Sequence, residues 1–279
     1  MTGPALSLEE APERFRLGET VASLLGLLER DLWILRRGWR EFTARAVIQP
    51  VMFLFVFTYV FPRIGQNYSG AGTTFATVLT PGLIGYAAFY AGVYSVGMSL
   101  SLELSFGQAG LDDRLLSPVY TWLVGLAKAA VGSINAVLAG GLVFVVALLI
   151  PAGRVDVGMP SLLTAVGALL VVALLAAGAG MFVGTAVRPE QLPALFTIML
   201  IPIAFLGGIY FSWSTLEPMR WLQVLVLLNP LTYMTEAMRA LLTPEAPRMA
   251  TFGAIGGGAV FGTLLLVVGL RSFTRRVIG

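Results

Sequence analysis

The chain has 279 residues, of which 57% are hydrophobic and 12% charged, with a net charge of +3 and a mean hydropathy of +0.85. A soluble domain carries about 25% charged residues, so this chain cannot cover a soluble surface with polar groups, and its apolar content excludes a disordered one. It has no cysteine and no histidine, which removes disulfides, thiolate chemistry, the commonest metal ligand and the commonest general base; the modest charge gives no reason to expect nucleic acid as a partner.

Residues 1–17 are polar, carry Glu9, Glu10 and Glu13, and lack an apolar core. They read as a flexible cytoplasmic N-terminus rather than a signal peptide. From 18 to 45 the pattern changes. Val21, Leu24, Leu25, Leu28, Leu32, Leu35, Trp39 and Phe42 recur at helical spacing, while Glu29, Arg30, Arg36, Arg37 and Arg40 lie largely off that stripe. An apolar, aromatic face opposite an arginine-rich one predicts an amphipathic helix lying in the headgroup layer. Two readings of it stay open: a membrane-surface anchor, or a lever that also touches a cytoplasmic partner through Arg36, Arg37 and Arg40.

Residues 46–279 read as a single transmembrane domain. A spanning helix needs about 20 apolar residues, and six stretches qualify: Ala46–Phe61, Val78–Leu102, Trp122–Ile150, Leu162–Val187, Leu192–Phe211 and Phe252–Leu270. Lys128 is the one charge within them, near the start of the third. Phe53, Phe55, Phe57 and Tyr59 on the first span alternate too quickly to share one helix face. Between the second and third spans lies the longest cytoplasmic excursion, 103–118, which keeps Leu111, Leu115 and Leu116 at its tip and ends at Pro118. A plain turn needs only a few residues, so this loop reads as a docking element on a short helix. Between the fifth and sixth spans, 213–243 holds two short apolar pieces, Trp221–Leu228 and Leu231–Leu242, broken at Asn229-Pro230. Proline cannot continue a helix begun before it without losing a backbone bond. The segment therefore reads as a re-entrant helical hairpin on the outer side, with Glu236 and Arg239 three apart and able to pair.

Lysine and arginine placement sets the orientation. Thirteen of the eighteen basic residues fall on the side of the termini, which puts both ends in the cytoplasm. Gly180/Gly184, Gly253/Gly257 and Gly258/Gly262 are small-residue pairs that permit close helix approach, read first as packing within the chain. The fold class is thus an all-α polytopic membrane protein: six transmembrane helices, an N-terminal interfacial helix and a re-entrant hairpin.

Four segments on that frame resemble a known family. Thr80-Pro81-Gly82 is similar to a TPG segment. Gly110-Leu111-Asp112-Asp113-Arg114-Leu115-Leu116-Ser117-Pro118 is similar to a G-x-x-x-x-L-L-x-P loop. Phe205-Leu206-Gly207-Gly208-Ile209-Tyr210-Phe211 is similar to an FLSG-type fifth span. Asn229-Pro230-Leu231-Thr232-Tyr233, with Glu236 and Arg239, is similar to an NPLTY-x-x-E-x-x-R signature. Together, and in this order, they resemble the membrane subunits of type-2 ABC exporters, in the daunorubicin-resistance, nodulation-export and polysaccharide-export branches. Ser105-Phe106-Gly107-Gln108 departs from the charged residues that relatives often carry before the loop glycine.

The resemblance implies a division of labour. Gly110, Leu111, Asp113, Arg114, Leu115, Leu116 and Pro118 would form the coupling helix that a separate ABC ATPase grips. Two copies of that ATPase, with its ATP and magnesium, would drive a homodimer of this chain among the lipids of a bacterial cytoplasmic (inner) membrane. The permease itself would need no cofactor and no metal. The residues agree: a phosphate-binding P-loop needs G-x-x-x-x-G-K-[ST], and the single lysine, Lys128, stands in Gly125-Leu126-Ala127-Lys128-Ala129-Ala130. The implied function is ATP-driven export of an amphiphilic molecule or lipid, with a lipid-linked glycan as the second choice. The alternative is an ATP-independent secondary transporter or channel. Such a transporter usually shows an internal repeat and ionisable groups at mid-membrane, and neither is evident here. An intramembrane hydrolase of the serine–histidine or histidine–metal type is excluded by composition.

Overall fold

A computed structural model describes residues 25–26, 28–33, 36–64, 69–70, 73–105, 121–149 and 162–278. Apart from a two-residue antiparallel pairing of Ser69–Gly70 with Thr73–Thr74, the described regular structure is helical. Long apolar stretches leave the backbone no water to bond, and the helix satisfies those groups internally.

The chain is helical at 28–33 and bends at Gly38 before helix α1, Trp39–Phe55. Glycine is a natural place for that bend, because it holds a helix less well than any residue but proline. α1 then runs through position 45 without a break and continues as a π-helical stretch, Val56–Val60, and a last turn, Phe61–Arg63. The aromatics of this segment divide between two faces. Phe53 stacks on Phe57 at 6.1 Å and Phe55 on Tyr59 at 5.0 Å.

α2 (Phe75–Ser105), α3 (Thr121–Leu149), α4 (Leu162–Ala186) and α8 (Thr251–Ile278) form the bundle. Each is long and apolar enough to cross a membrane, and they coincide with the second, third, fourth and sixth expected spans. The apolar helices matching the first and fifth are shorter: Ile48–Arg63, and α5 (Leu192–Leu206). α6 (Arg220–Leu225) and a short 3-10 turn, Val226–Leu228, lead to α7 (Pro230–Leu242), so the chain breaks at Asn229-Pro230.

Small residues set the register of the bundle. Val96 of α2 fills the space that side chains at Gly132 of α3 and Gly180 of α4 would take. Gly132 lies opposite Val96 and Gly140 opposite Ala88, so α2 and α3 are antiparallel. Gly92 faces Ala176 and Gly97 faces Gly184, so α4 runs parallel to α2. Gly167 faces Ile255 and Gly269 faces Met181, so α8 runs parallel to α4. The Gly180/Gly184 and Gly258/Gly262 pairs therefore serve packing within the chain. Hydrogen bonds across helices reinforce it: Asn135 Nδ2 donates to Ser95 Oγ at 2.6 Å, and Ser133 Oγ to the Ala173 carbonyl at 3.0 Å. In an apolar medium such bonds hold helices together where the hydrophobic effect does not.

Candidate functional site

Three of the four motifs that carry the family resemblance, far apart in sequence, meet at one buried node. α7 wedges against α2, α4 and α8, and most of its side chains are buried. Asn229 caps it: Asn229 Oδ1 accepts the Leu231 N–H at 3.0 Å, and Pro230, which has no N–H to lose, occupies the first helical position. The other end of the same amide donates from Nδ2 to the Ile203 carbonyl of α5 at 2.8 Å. One side chain thus starts α7 and ties it to α5.

Glu236 and Arg239 form a fully buried ion pair, with Arg239 Nη1 at 2.8 Å from Glu236 Oε1. The carboxylate accepts two backbone N–H groups as well, from Trp213 at 2.8 Å on Oε1 and from Met249 at 2.7 Å on Oε2. Arg239 Nη2 donates to the carbonyls of Val78 at 3.1 Å, Ile209 at 3.3 Å, and Gly208. Burying two charges costs more than their attraction returns unless the remaining donors and acceptors are also met. Here they nearly all are; Arg239 Nε is the one polar atom of the pair left without a partner.

The sequence around the node fits it locally. Pro81 has no N–H to offer the preceding turn of α2, and the arginine reaches the Val78 carbonyl within that turn. Gly82 lets the backbones touch: a Cβ there would lie 2.5 Å from the Ile209 carbonyl oxygen and 2.8 Å from its Cα. Gly208 sits at φ 71°, a left-handed conformation that glycine adopts at little cost. That turn presents the Gly208 carbonyl to the guanidinium, and Thr235 Oγ1 holds the Gly207 carbonyl at 2.8 Å. Thr80-Pro81-Gly82, Phe205–Phe211 and Asn229–Arg239 are therefore parts of one structure. Tyr233, the remaining signature residue, packs on Gly257, Gly258 and Phe261 of α8.

Of the other candidate residues, Gly110, Leu111, Asp113, Arg114, Leu115, Leu116 and Pro118 lie outside the described residues. Glu103–Ser105, the first part of the expected loop, form the last turn of α2. Arg36 and Arg37 are exposed, and Arg37 lies over the Trp33 ring at 3.9 Å, a cation–π contact. Arg40 falls on α1.

Two features escaped the sequence pattern. The first is a buried ion pair between Lys128 Nζ of α3 and Asp31 Oδ2 at 2.7 Å. A solitary lysine in an apolar stretch is a signal that a partner exists, but nothing in the spacing names Asp31. The second is a ladder of rings. Tyr86, Tyr90 and Tyr94 stack along α2 at 6.3 and 5.9 Å, and Phe196 of α5 stands edge-on to Tyr90 at 5.9 Å and to Tyr94 at 5.2 Å. Nearer the start of α2, Tyr210 gathers Phe53, Phe57 and Phe205. Among the described residues no cluster of three or more acidic, histidine or cysteine side chains is placed to hold a metal.

The comparisons agree with the motifs. Residues 23–243 match the family described as ABC-2 type transporter. The chain is similar to the inner membrane transport permease YadH of Escherichia coli K12, 25% identical over 239 residues, which cover 84% of this chain and 88% of that one. It is also similar to the daunorubicin resistance ABC transporter permease protein DrrB1 of Streptomyces coeruleorubidus, 25% identical over 244 residues, covering 85% and 80%.

Proposed function

We infer the function from a fixed premise: the chain belongs to the ABC-2 type transporter family. It is a permease subunit of such a transporter, and subunits of this kind are not themselves catalytic. The match over 23–243 carries the reading. From it we propose ATP-driven export of an amphiphilic molecule, lipid or lipid-linked glycan from the cytoplasm, powered by a separate ATPase whose own P-loop holds ATP and magnesium.

The helix directions support six crossings with both ends in the cytoplasm. α2 and α4 run one way and α3 the other, as consecutive crossings must. α8 runs parallel to α4, so the chain from 187 to 250 has to return across the membrane a net single time. α5 supplies that return, and α6 with α7 then enters and leaves on the outer side. The Asn229 cap, which binds α7 back to α5, suits such a hairpin. Irregular backbone at membrane depth is tolerated where protein shields it, and the buried node supplies the shielding.

An amphiphilic cargo suits the tyrosine ladder, whose rings present apolar faces and polar edges in one strip. The drug-resistance relative favours a small amphiphile over a glycan. Homodimerisation suits α5, an apolar helix with Ile198 72% and Phe205 58% exposed; a second copy would cover that face. The loop 103–118 and the arginines at 36, 37 and 40 would be the two cytoplasmic contacts with the ATPase.

The test is purification from native membranes in mild detergent. A P-loop ATPase should come with the chain in equal amount, and ATP hydrolysis should disappear when that partner is stripped off. ATP turnover by the isolated chain, or a partner-free chain that transports, would overturn the reading.

A further inference from the structure

Asp31 and Lys128 come from distant parts of the chain and meet where the segment before α1 packs beside α3. Both are buried, at 7% and 9% side-chain exposure. Asp31 is held from two directions. Its Oδ2 faces Lys128 Nζ at 2.7 Å, while its Oδ1 accepts from Arg30 Nε at 3.0 Å and Nη2 at 2.9 Å. Arg30 is itself 42% exposed.

A buried ion pair is a poor source of stability, because desolvation offsets the attraction, and apolar side chains of similar size serve as well. What the pair does supply is intolerance of displacement. If the N-terminal segment slid by one helical turn along α3, about 5.4 Å, Lys128 would lose Asp31 as its counter-charge at a buried position, while Asp31 would keep only Arg30, which travels with it. Apolar contacts would slide with far less penalty. Lysine, the compact point charge, occurs once in this chain, against seventeen arginines, and it stands here.

The position adds the function. α3 begins three residues after Pro118, and Lys128 lies seven residues into it, about 10 Å along its axis. The Asp31 segment leads into α1. We propose that the Asp31–Lys128 pair is a mechanical pin that makes the N-terminal helix and the start of α3 move as one body when the ATPase pushes on the loop between α2 and α3. Asp31 and Lys128 are positioning residues: they fix two transmitting elements to each other and touch no cargo. The inference rests on the proposed function, since the ATPase is what pushes.

Distance measurement between spin labels tests this without knowledge of the cargo. The chain has no cysteine of its own, so Leu25→Cys and Leu138→Cys, both at exposed positions, accept labels cleanly. Dilution with unlabelled chain leaves only distances within one copy. With Asp31 and Lys128 intact, one narrow distance should persist between the nucleotide-free complex and the complex trapped with ATP and vanadate. With Asp31→Asn and Lys128→Met together, which removes both buried charges and leaves Arg30 at its half-exposed position, the distribution should broaden about twofold or shift on trapping. Reversing the pair, with Arg30→Gln, Asp31→Lys and Lys128→Asp, should restore the single narrow distance, whereas Arg30→Gln alone should change little. A distance that changes on trapping in the intact pair overturns the pin, and so does a neutral pair as narrow as the native one. The intact-pair measurement stands even if a variant fails to fold. If no ATPase accompanies the chain, the proposed function fails on that observation, and the comparison of intact, neutral and reversed pairs without nucleotide still decides whether Asp31 and Lys128 fix the two helices.

Discussion

Replacing Arg239 by methionine should be among the most damaging single changes in the chain. The side chain is fully buried, and methionine is an apolar, unbranched but shorter replacement, so the main effect is the loss of charge and hydrogen bonding. Glu236 would be left as a buried carboxylate with two backbone N–H donors but no counter-charge, a loss of about 3–5 kcal/mol. The carbonyls of Val78, Gly208 and Ile209 would each lose a donor, adding about 1 kcal/mol apiece. The total, about 6–8 kcal/mol, is comparable to the whole stability of many domains. Glu236→Gln added to Arg239→Met removes the bare charge while keeping one acceptor for the neighbouring N–H groups. The double variant should therefore be more stable than Arg239→Met alone by about 2 kcal/mol or more, a non-additivity expected only of directly coupled residues. Denaturant unfolding in detergent, followed by tryptophan fluorescence, reads this locally, because the Trp213 backbone is bonded to Glu236. A loss below about 2 kcal/mol for Arg239→Met, or a double variant weaker than the single one, would refute the account of the node as a charge-satisfied clamp.

Gly82→Val should destabilise the chain by about 2 kcal/mol or more, since its Cβ would meet backbone atoms of Ile209 rather than a flexible side chain; thermal unfolding in detergent measures it, and an unchanged midpoint would show that the contact yields. Leu115→Asp with Leu116→Asp should release the ATPase during purification, weakening association by about two decades if two apolar anchors are lost, while membrane insertion survives; retention of the partner would move the coupling role to the helix with Arg36, Arg37 and Arg40. Single cysteines at Arg63, Asp156 and Glu245 should react with an impermeant thiol reagent from outside, and those at Gln108, Glu190 and Ser272 only from inside; reversed labelling at two of these sites would overturn the orientation.

How much of this was legible in the sequence depends on how far apart the partners stand. Glu236 and Arg239 are three residues apart, and helical geometry alone pairs them. The break at Asn229-Pro230 was equally visible, because proline announces it locally. The carbonyl clamp was not: Val78 and Arg239 are 161 residues apart, and no spacing rule joins a guanidinium to the open turn of another helix. Thr80-Pro81-Gly82 could be recognised by likeness, yet its use, as the surface on which Ile209 and Arg239 settle, required the fold. Asp31 stands beside Leu32 of the apolar stripe, and nothing in that spacing shows that its carboxylate is buried against Lys128 of α3. The crowded aromatics near Phe53 were rightly refused a common face, but the π-helical stretch that follows them is a backbone adjustment without a signature in residue types.

Two ion pairs buried on both sides, Glu236–Arg239 and Asp31–Lys128, stand at opposite ends of the bundle. The register that sets Gly132 against Val96 and Gly140 against Ala88 places Lys128 level with Leu100 of α2. Val78, which receives Arg239, lies 22 residues earlier on the same helix, about 33 Å away along its axis. At the Val78 end, α2, α7 and the turn after α5 are joined by hydrogen bonds that no small displacement can conserve. At the Leu100 end, the Asp31–Lys128 ion pair joins α3 to the segment before α1. On the proposed function, a push delivered near the loop between α2 and α3 would meet a bundle clamped at its far end by the Arg239 node and, at its near end, by the proposed pin. Between the two, contacts are mostly apolar and small, with glycines along α3, α4 and α8 letting helices pass closely. Within this stretch the Asn135–Ser95 and Ser133–Ala173 hydrogen bonds tie α3 to α2 and to α4. On the proposed function, a push from the ATPase would therefore carry α3 and the segment before α1 together through the Asp31–Lys128 pair, while the Arg239 node holds α2 to α7 and to the turn after α5.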